Sequence, residues 1–563
     1  MENGSAQHKE TRCGVLVALA LFVLLAVCRM GFPLGQDEIS HYYKIARILF
    51  FDGYSHPEDL IVFSPHLYPL ACWGVSELVG VFSPWVVQLT GILCWLGCLF
   101  SLWRLSFGRR DALIACALCL TMPAVLQASV TIEIDQAMLP LLVLLLCWAF
   151  DRACSGKLSW YWISLLFGLS LWCRPTTPLV LIPVLLLYSW LRVGNKHDVI
   201  KPAVALLVGF LLFLATWSLY GLLTGVRWHG VFNYLCGSFA ETTVGERSSG
   251  VGRIAQSVLY LVFWGMNPFL LCWLLQSFVL VVNRYRRAGY LAPGSLYGLC
   301  SVWLLLGYSL VGGSLFGFPK YQISGIPLLC AFVSMVNPPD FSWHDRVKDR
   351  VAVCCFIVLC ILAGCFGLGD PLEVVRVEVR DLACQGEGIK GVLLGMAVRC
   401  ALVWLAVALF ALWLVLRKRI TLATALCLAA ISLNAGFSLW QTTCGYCTGY
   451  VYGDRGETKQ VAKILAKATD KPEQAIAPHE VLFYLDDFEL VNDGPEILSR
   501  AEDMQAALRD RKPPVVAASP LVSLVANVSL LLSNPGIREI LDAEYEYQKV
   551  GRYYVWTRKS VDP

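Results

Sequence analysis

The stretch GQDEISHYYKIARILFFDGYSHPEDL (35–60) decides how the chain is read. It follows an apolar run of about 20 residues, long enough to cross a bilayer, and it opens with two adjacent carboxylates, Asp37 and Glu38. Beyond them Tyr42, Ile45 and Leu49, with Tyr43, Ala46 and Phe50 alongside, recur at helical spacing, while Lys44, Arg47 and Asp52 lie off that stripe. The spacing predicts an amphipathic helix lying along the membrane surface. A second helix, LYPLACWGVSELVG (67–80), follows in the same long loop, about 35–83.

The whole chain suits a lipid solvent. Of its 563 residues, 57% are hydrophobic and only 15% charged, with a mean hydropathy of +0.61. Soluble domains carry about a quarter charged residues. A net charge of +4 gives no broad basic field, which argues against a nucleic-acid partner. Most of the 23 cysteines sit inside apolar runs, as Cys94, Cys98, Cys116, Cys119, Cys147, Cys354, Cys355 and Cys360 do, where the thiol acts as a small hydrophobe. Only Cys444 and Cys447 (CGYC) have redox or metal spacing, and neither a histidine nor a second pair lies nearby. The basic N-terminus (MENGSAQHKETRC) leads into the first run without a small-residue cleavage site, which predicts an uncleaved first span.

Apolar runs lie near 14–34, 84–103, 111–129, 133–150, 160–173, 176–191, 202–224, 254–282, 295–316, 321–336, 350–368, 398–416 and 420–441, about thirteen in all. With the N-terminus cytoplasmic, the inner loops become 104–110, 151–157, 192–201, 283–290, 344–350 and 417–419, every one short and basic. An odd number of spans places the tail outside. From about residue 450 the composition turns soluble. GETKQVAKILAKA and EILSRAEDMQAALRD predict helices, QAIAP and PPVVAAS strands, and YEYQKVGRYYVWTR a hairpin. The expectation is an α-helical polytopic membrane protein of about 13 transmembrane helices over 1–449, with a small soluble extracytoplasmic α/β domain over 450–563.

Ionisable groups at a membrane edge are costly and so mark function. They gather on the outer side: Asp37, Glu38, His66 in SPHLYP, Glu133 and Asp135 in TIEIDQAMLP, Arg174 in LWCRPTTP, and Lys320 with Tyr321 in GFPKYQ. Acids and bases together at the edge of lipid suit a donor whose leaving group is a phosphate on a long prenyl chain. The tail lies in the bilayer and the phosphate at headgroup level, where arginine offers bidentate contact. An acceptor arriving from water needs a carboxylate to take its proton as it attacks the anomeric carbon. A second carboxylate could hold a divalent metal ion, with Glu38 and His66 as candidate ligands, or hydrogen-bond sugar hydroxyls.

In this order and spacing, over roughly 1–340, the motifs resemble the GT-C integral-membrane glycosyltransferases, especially bacterial relatives of protein O-mannosyltransferase and lipid A aminoarabinose transferase. The resemblance implies a GT-C fold and inverting transfer from a polyprenyl-phosphate-linked sugar to a glycan, lipid or protein acceptor. It implies a multi-pass protein of the bacterial inner membrane, working on the periplasmic side. It makes Asp37 the catalytic or donor-positioning acid, with Glu38 in support. Asp135, Arg174, Lys320, Tyr321 and His66 become contacts to the donor sugar or phosphate, with Pro327 completing the later motif. His66 stands where relatives often carry proline. A lipid-linked sugar flippase would place its charges near the bilayer midplane and show paired halves. An O-antigen-type ligase would want arginine and histidine in a large late loop, and 370–398 is modest and lacks histidine. A membrane sensor with the tail as its receptor is the non-enzymatic alternative.

Overall fold

The computed structural model describes residues 16, 19–30, 42–60, 64–105, 109–133, 137–193, 199–227, 229–232, 266–311, 320–340, 347–369, 390–443, 455–469, 474–482, 484–485, 500–519 and 528–559. The chain forms two compact units. The first takes Met1–Met30, His41–Leu362 and Val407–Ser438, and the second Gly31–Ser40, Ala363–Ala406 and Leu439–Pro563.

The apolar runs become helices, because in lipid each backbone group must find its partner within its own segment. In chain order they are α1 (Leu19–Arg29), α2 (Lys44–Phe51), α3 (Leu67–Val79), α4 (Pro84–Leu105), α5 (Arg109–Thr121), α6 (Pro123–Val130), α7 (Met138–Cys154) and α8 (Trp160–Cys173). There follow α9 (Thr176–Val193), α10 (Ile200–Thr224), α11 (Pro268–Ala288), α12 (Ser295–Val311), α13 (Ile326–Val336), α14 (Val347–Leu362), α15 (Lys390–Leu416) and α16 (Leu422–Thr443). Among the described residues, six helices are long and apolar enough to cross a membrane, and six more are apolar but shorter. The run at 111–129 is not one straight helix: α5 and α6 meet at 70°. Met122 there is extended (φ −68, ψ 125) and Pro123 restarts the helix, since a proline forbids the helical backbone to the residue before it.

The amphipathic helix forms as α2, and its stripe is covered by protein. Ile45 and Leu49 are buried with Leu60 and Val226, against Leu70 and Trp73 of α3. Gly80, in the left-handed region at φ +75, ends α3. Helices α8 and α10 cross in close contact. A Cβ on Gly209 would lie 2.6 Å from the Ser164 carbonyl oxygen, and Ser164 Oγ donates to the Ala205 carbonyl at 2.8 Å. Small residues at such a crossing let two backbones touch.

The C-terminal part of the second unit is a three-stranded antiparallel sheet between two helical layers. Its strands are β1 (Val515–Ala518), β2 (Tyr545–Val550) and β3 (Tyr553–Arg558), in the order β1-β3-β2. The predicted hairpin is β2–β3, turning at Gly551 (φ +54). The QAIAP strand is reduced to one parallel bridge, Ile476 to Val516. One face of the sheet packs Val515, Ala517, Tyr553 and Val555 on α17 (Arg455–Ala468). The other buries Val516, Tyr554 and Trp556 under α18 (Ala501–Ala506), α19 (Val528–Ser533) and α20 (Pro535–Glu544). In HEVLFYLDDFE (479–489), His479–Leu482 folds into a short helix that buries Val481 and Leu482.

Candidate functional site

Arg174 is positioned by the break between α8 and α9. It caps α8 with an extended backbone (φ −155, ψ 115), as the following Pro175 requires. Its Nε donates to Thr176 Oγ1 at 3.0 Å, and its guanidinium lies 4.9 Å from the centre of the Tyr321 ring. Tyr321 stacks in turn on Tyr308 (5.6 Å, 25°), whose hydroxyl is hydrogen-bonded to Thr177. Three separate stretches thus build one plate, cation upon ring upon ring. The plate fixes the plane of the guanidinium, and a fixed planar fork is what bidentate binding of a phosphate uses.

Tyr321 belongs to the 3-10 turn Lys320–Gly325, which packs against α6, α7, α12 and α13. Lys320 opens this turn, so two of the expected donor contacts, Arg174 and Tyr321, meet directly and a third is next in sequence. The turn also carries Gln322 and Ser324, both buried, and neither the Gln322 carboxamide nor the Ser324 hydroxyl has a hydrogen-bond partner among the described residues. Burying an amide without partners costs about 1–3 kcal/mol. Sequence reasoning missed Gln322, since one glutamine between apolar residues gives no periodic or motif signal.

His66 caps α3 and is fully buried. Its Nδ1 is 3.0 Å from the Tyr220 hydroxyl, which also accepts from Tyr54 at 3.3 Å. The ring stands edge-on to Trp217 (5.5 Å) and Tyr220 (5.8 Å), which stack on each other, with Trp172 edge-on to both. Trp172 lies two residues before Arg174, so the α8–α10 crossing that brings these rings together also sets the position of the arginine. Among the described residues the one histidine–acid group close enough to share a metal ion is His56, Glu58 and Asp59, which is exposed and separate from His66.

A second polar patch surrounds α6. Arg29, at the end of α1, is fully buried, and its Nη2 donates to Gln127 Oε1 at 2.5 Å. Gln127 Nε2 reaches Thr131 Oγ1 at 3.4 Å, and Glu133, also fully buried, follows two residues on. Buried charges of both signs in an apolar unit hold only where polar partners surround them. Glu133 was legible as an acid opening an apolar run, whereas Arg29 and Gln127 were hidden inside such runs. Asp37, Glu38, Asp135, Cys444 and Cys447 lie outside the described residues.

Residues 63–220, which hold His66, Glu133, Asp135 and Arg174, match the dolichyl-phosphate-mannose-protein mannosyltransferase family. No curated protein sequence matches the chain. Among solved structures it is similar to ArnT from Cupriavidus metallidurans bound to undecaprenyl phosphate, at 15% identity and a TM-score of 0.55, over 98% of this chain and 99% of that one. The apo state of the same protein gives 16% identity and a TM-score of 0.51, over 96% and 97% of the two chains. The chain therefore shares the fold of ArnT, and the part of it that carries His66 and Arg174 matches the dolichyl-phosphate-mannose-protein mannosyltransferase model.

Proposed function

We propose that the protein transfers a sugar, with inversion, from a polyprenyl-phosphate donor to a glycan, lipid or protein acceptor on the periplasmic side of a bacterial inner membrane. The observation that carries this reading is the Arg174–Tyr321–Tyr308 plate. A planar cation is held there on Tyr321, the neighbour of Lys320 in sequence, on a fold shared with a protein crystallised with undecaprenyl phosphate.

In this reading Arg174 and Lys320 take the donor phosphate, and the prenyl tail stays in lipid. Asp37 accepts the proton of the acceptor hydroxyl or amine as that group attacks the anomeric carbon. The bond between that carbon and the phosphate oxygen breaks, and polyprenyl phosphate leaves with the electron pair. Glu38 and Asp135 hydrogen-bond the sugar, and Gln322 turns its buried carboxamide to the same hydroxyls. His66 and Tyr220 wall the site. A divalent ion, where one is used, falls to Glu38, with loss of turnover in EDTA and its return with Mg²⁺ or Mn²⁺ as the readout.

The test uses purified protein in detergent, a panel of polyprenyl-phosphate sugars and host membrane extract as acceptor source. Mass spectrometry follows loss of each donor and appearance of polyprenyl phosphate. Consumption of one donor with transfer of its sugar supports the reading. If every donor survives while labelled lipid changes leaflet in liposomes, the chain is a flippase.

A further inference from the structure

The second unit holds a cleft that the transfer chemistry leaves unused. Where α19 and α20 cross the edge of the sheet they enclose about 360 Å³, within the usual range of small-molecule sites, about 300–1,000 Å³. Its floor is apolar, with Leu531 and Leu541 buried. One wall is aromatic. Tyr547, on the edge strand β2, is 49% exposed and stands in register with Trp556, their ring centroids 5.4 Å apart.

The opposite wall is α20, which presents Arg538 and Asp542 one turn apart, both exposed. At that spacing an arginine and an aspartate commonly pair, though this order along the helix is the weaker one. Here neither side chain makes an ion pair or hydrogen bond with any described residue. The cleft therefore combines an exposed aromatic ring with two planar polar heads of opposite sign that are not spent on each other.

That combination selects a ligand class. A purely apolar ligand would leave the guanidinium and carboxylate desolvated without partners. An anion meets Asp542 and a cation meets Arg538. A neutral sugar ring offers an apolar C–H face for Tyr547 and neighbouring hydroxyls that both donate and accept, as Asp542 and Arg538 respectively require. We infer that this cleft is a binding site for a neutral saccharide. That the sugar belongs to the acceptor of the transfer rests on the function proposed above; the binding itself does not.

The test applies full-length protein in detergent to a printed array of hexose, pentose, amino-sugar and uronate oligosaccharides. Wild type is compared with Tyr547→Ala, Tyr547→Phe and Arg538→Ala. Wild type should retain at least one neutral glycan and Tyr547→Phe should match it within about twofold, while Tyr547→Ala and Arg538→Ala lose about tenfold or more. Melting temperature should be the same in all four, and donor consumption should be the same once acceptor is in excess. Arg538 is exposed, so its substitution keeps the test valid should Tyr547→Ala fail to fold. The inference falls if wild type retains no glycan, or if Tyr547→Ala and Arg538→Ala retain the same glycans equally well, which would assign the binding to the first unit. A wild type that binds glycans but consumes no donor would sink the transferase reading alone.

Discussion

At the scale of single residues, Arg174 and Gln322 make the sharpest predictions. The Arg174 guanidinium lies over the Tyr321 ring, and under the proposed function Arg174→Lys keeps its charge and loses its planar fork. Donor KM should rise by about tenfold or more in Arg174→Lys and Arg174→Ala alike, as steady-state kinetics on the consumed donor would show; full rescue by lysine would contradict the bidentate role. Gln322 is buried without a hydrogen-bond partner among the described residues, so Gln322→Leu removes a destabilising group. Its melting temperature should hold or rise while turnover falls, and a fall in both would make Gln322 merely structural. Arg174 was readable because a charge followed by proline interrupts an apolar run. Gln322, Arg29 and Gln127 were not, because what singles them out is burial, and no local pattern encodes that. Tyr220 and Tyr308 were lost among aromatics that look the same in any buried helix.

At the scale of elements, the helices were legible because lipid forces each apolar run to satisfy its own backbone. What escaped was how they meet. The bend between α5 and α6 was written in Pro123, but an unbroken apolar run masked it. The covering of α2 depends on residues distant in sequence, Leu60 and Val226, so its stripe could be read and its partner could not. The α8–α10 crossing gives a paired prediction. Gly209→Ala sets a Cβ 2.6 Å from a carbonyl oxygen and should destabilise by about 1–3 kcal/mol. Gly74→Ala, in α3 with nothing within 4 Å, should stabilise by about 0.5–1 kcal/mol. Thermal unfolding in detergent reads both, and equal effects would contradict the crossing. In the C-terminal part, strict alternation made the β2–β3 hairpin plain, whereas QAIAP was too short to hold more than one bridge.

At the scale of the whole molecule, the short basic loops on one side set the proposed orientation, with the C-terminal domain periplasmic. Alkaline phosphatase fused after residue 563 should be active and fused after residue 288 inactive; the reverse pattern would invert the topology and put the site on the wrong face for a periplasmic acceptor. Overall architecture was legible because composition and loop charge are properties of the chain as a whole. The choice of sugar was not, since it depends on the shape of a pocket assembled from separate elements. The central claim is that Asp37 serves as base for transfer from a polyprenyl-phosphate sugar. One measurement bears on it most directly: release of polyprenyl phosphate from the consumed donor, followed by mass spectrometry in wild type and Asp37→Asn side by side. The account predicts release by wild type and a loss of about 100-fold or more in Asp37→Asn, with donor binding retained. Equal release by the two proteins would contradict it.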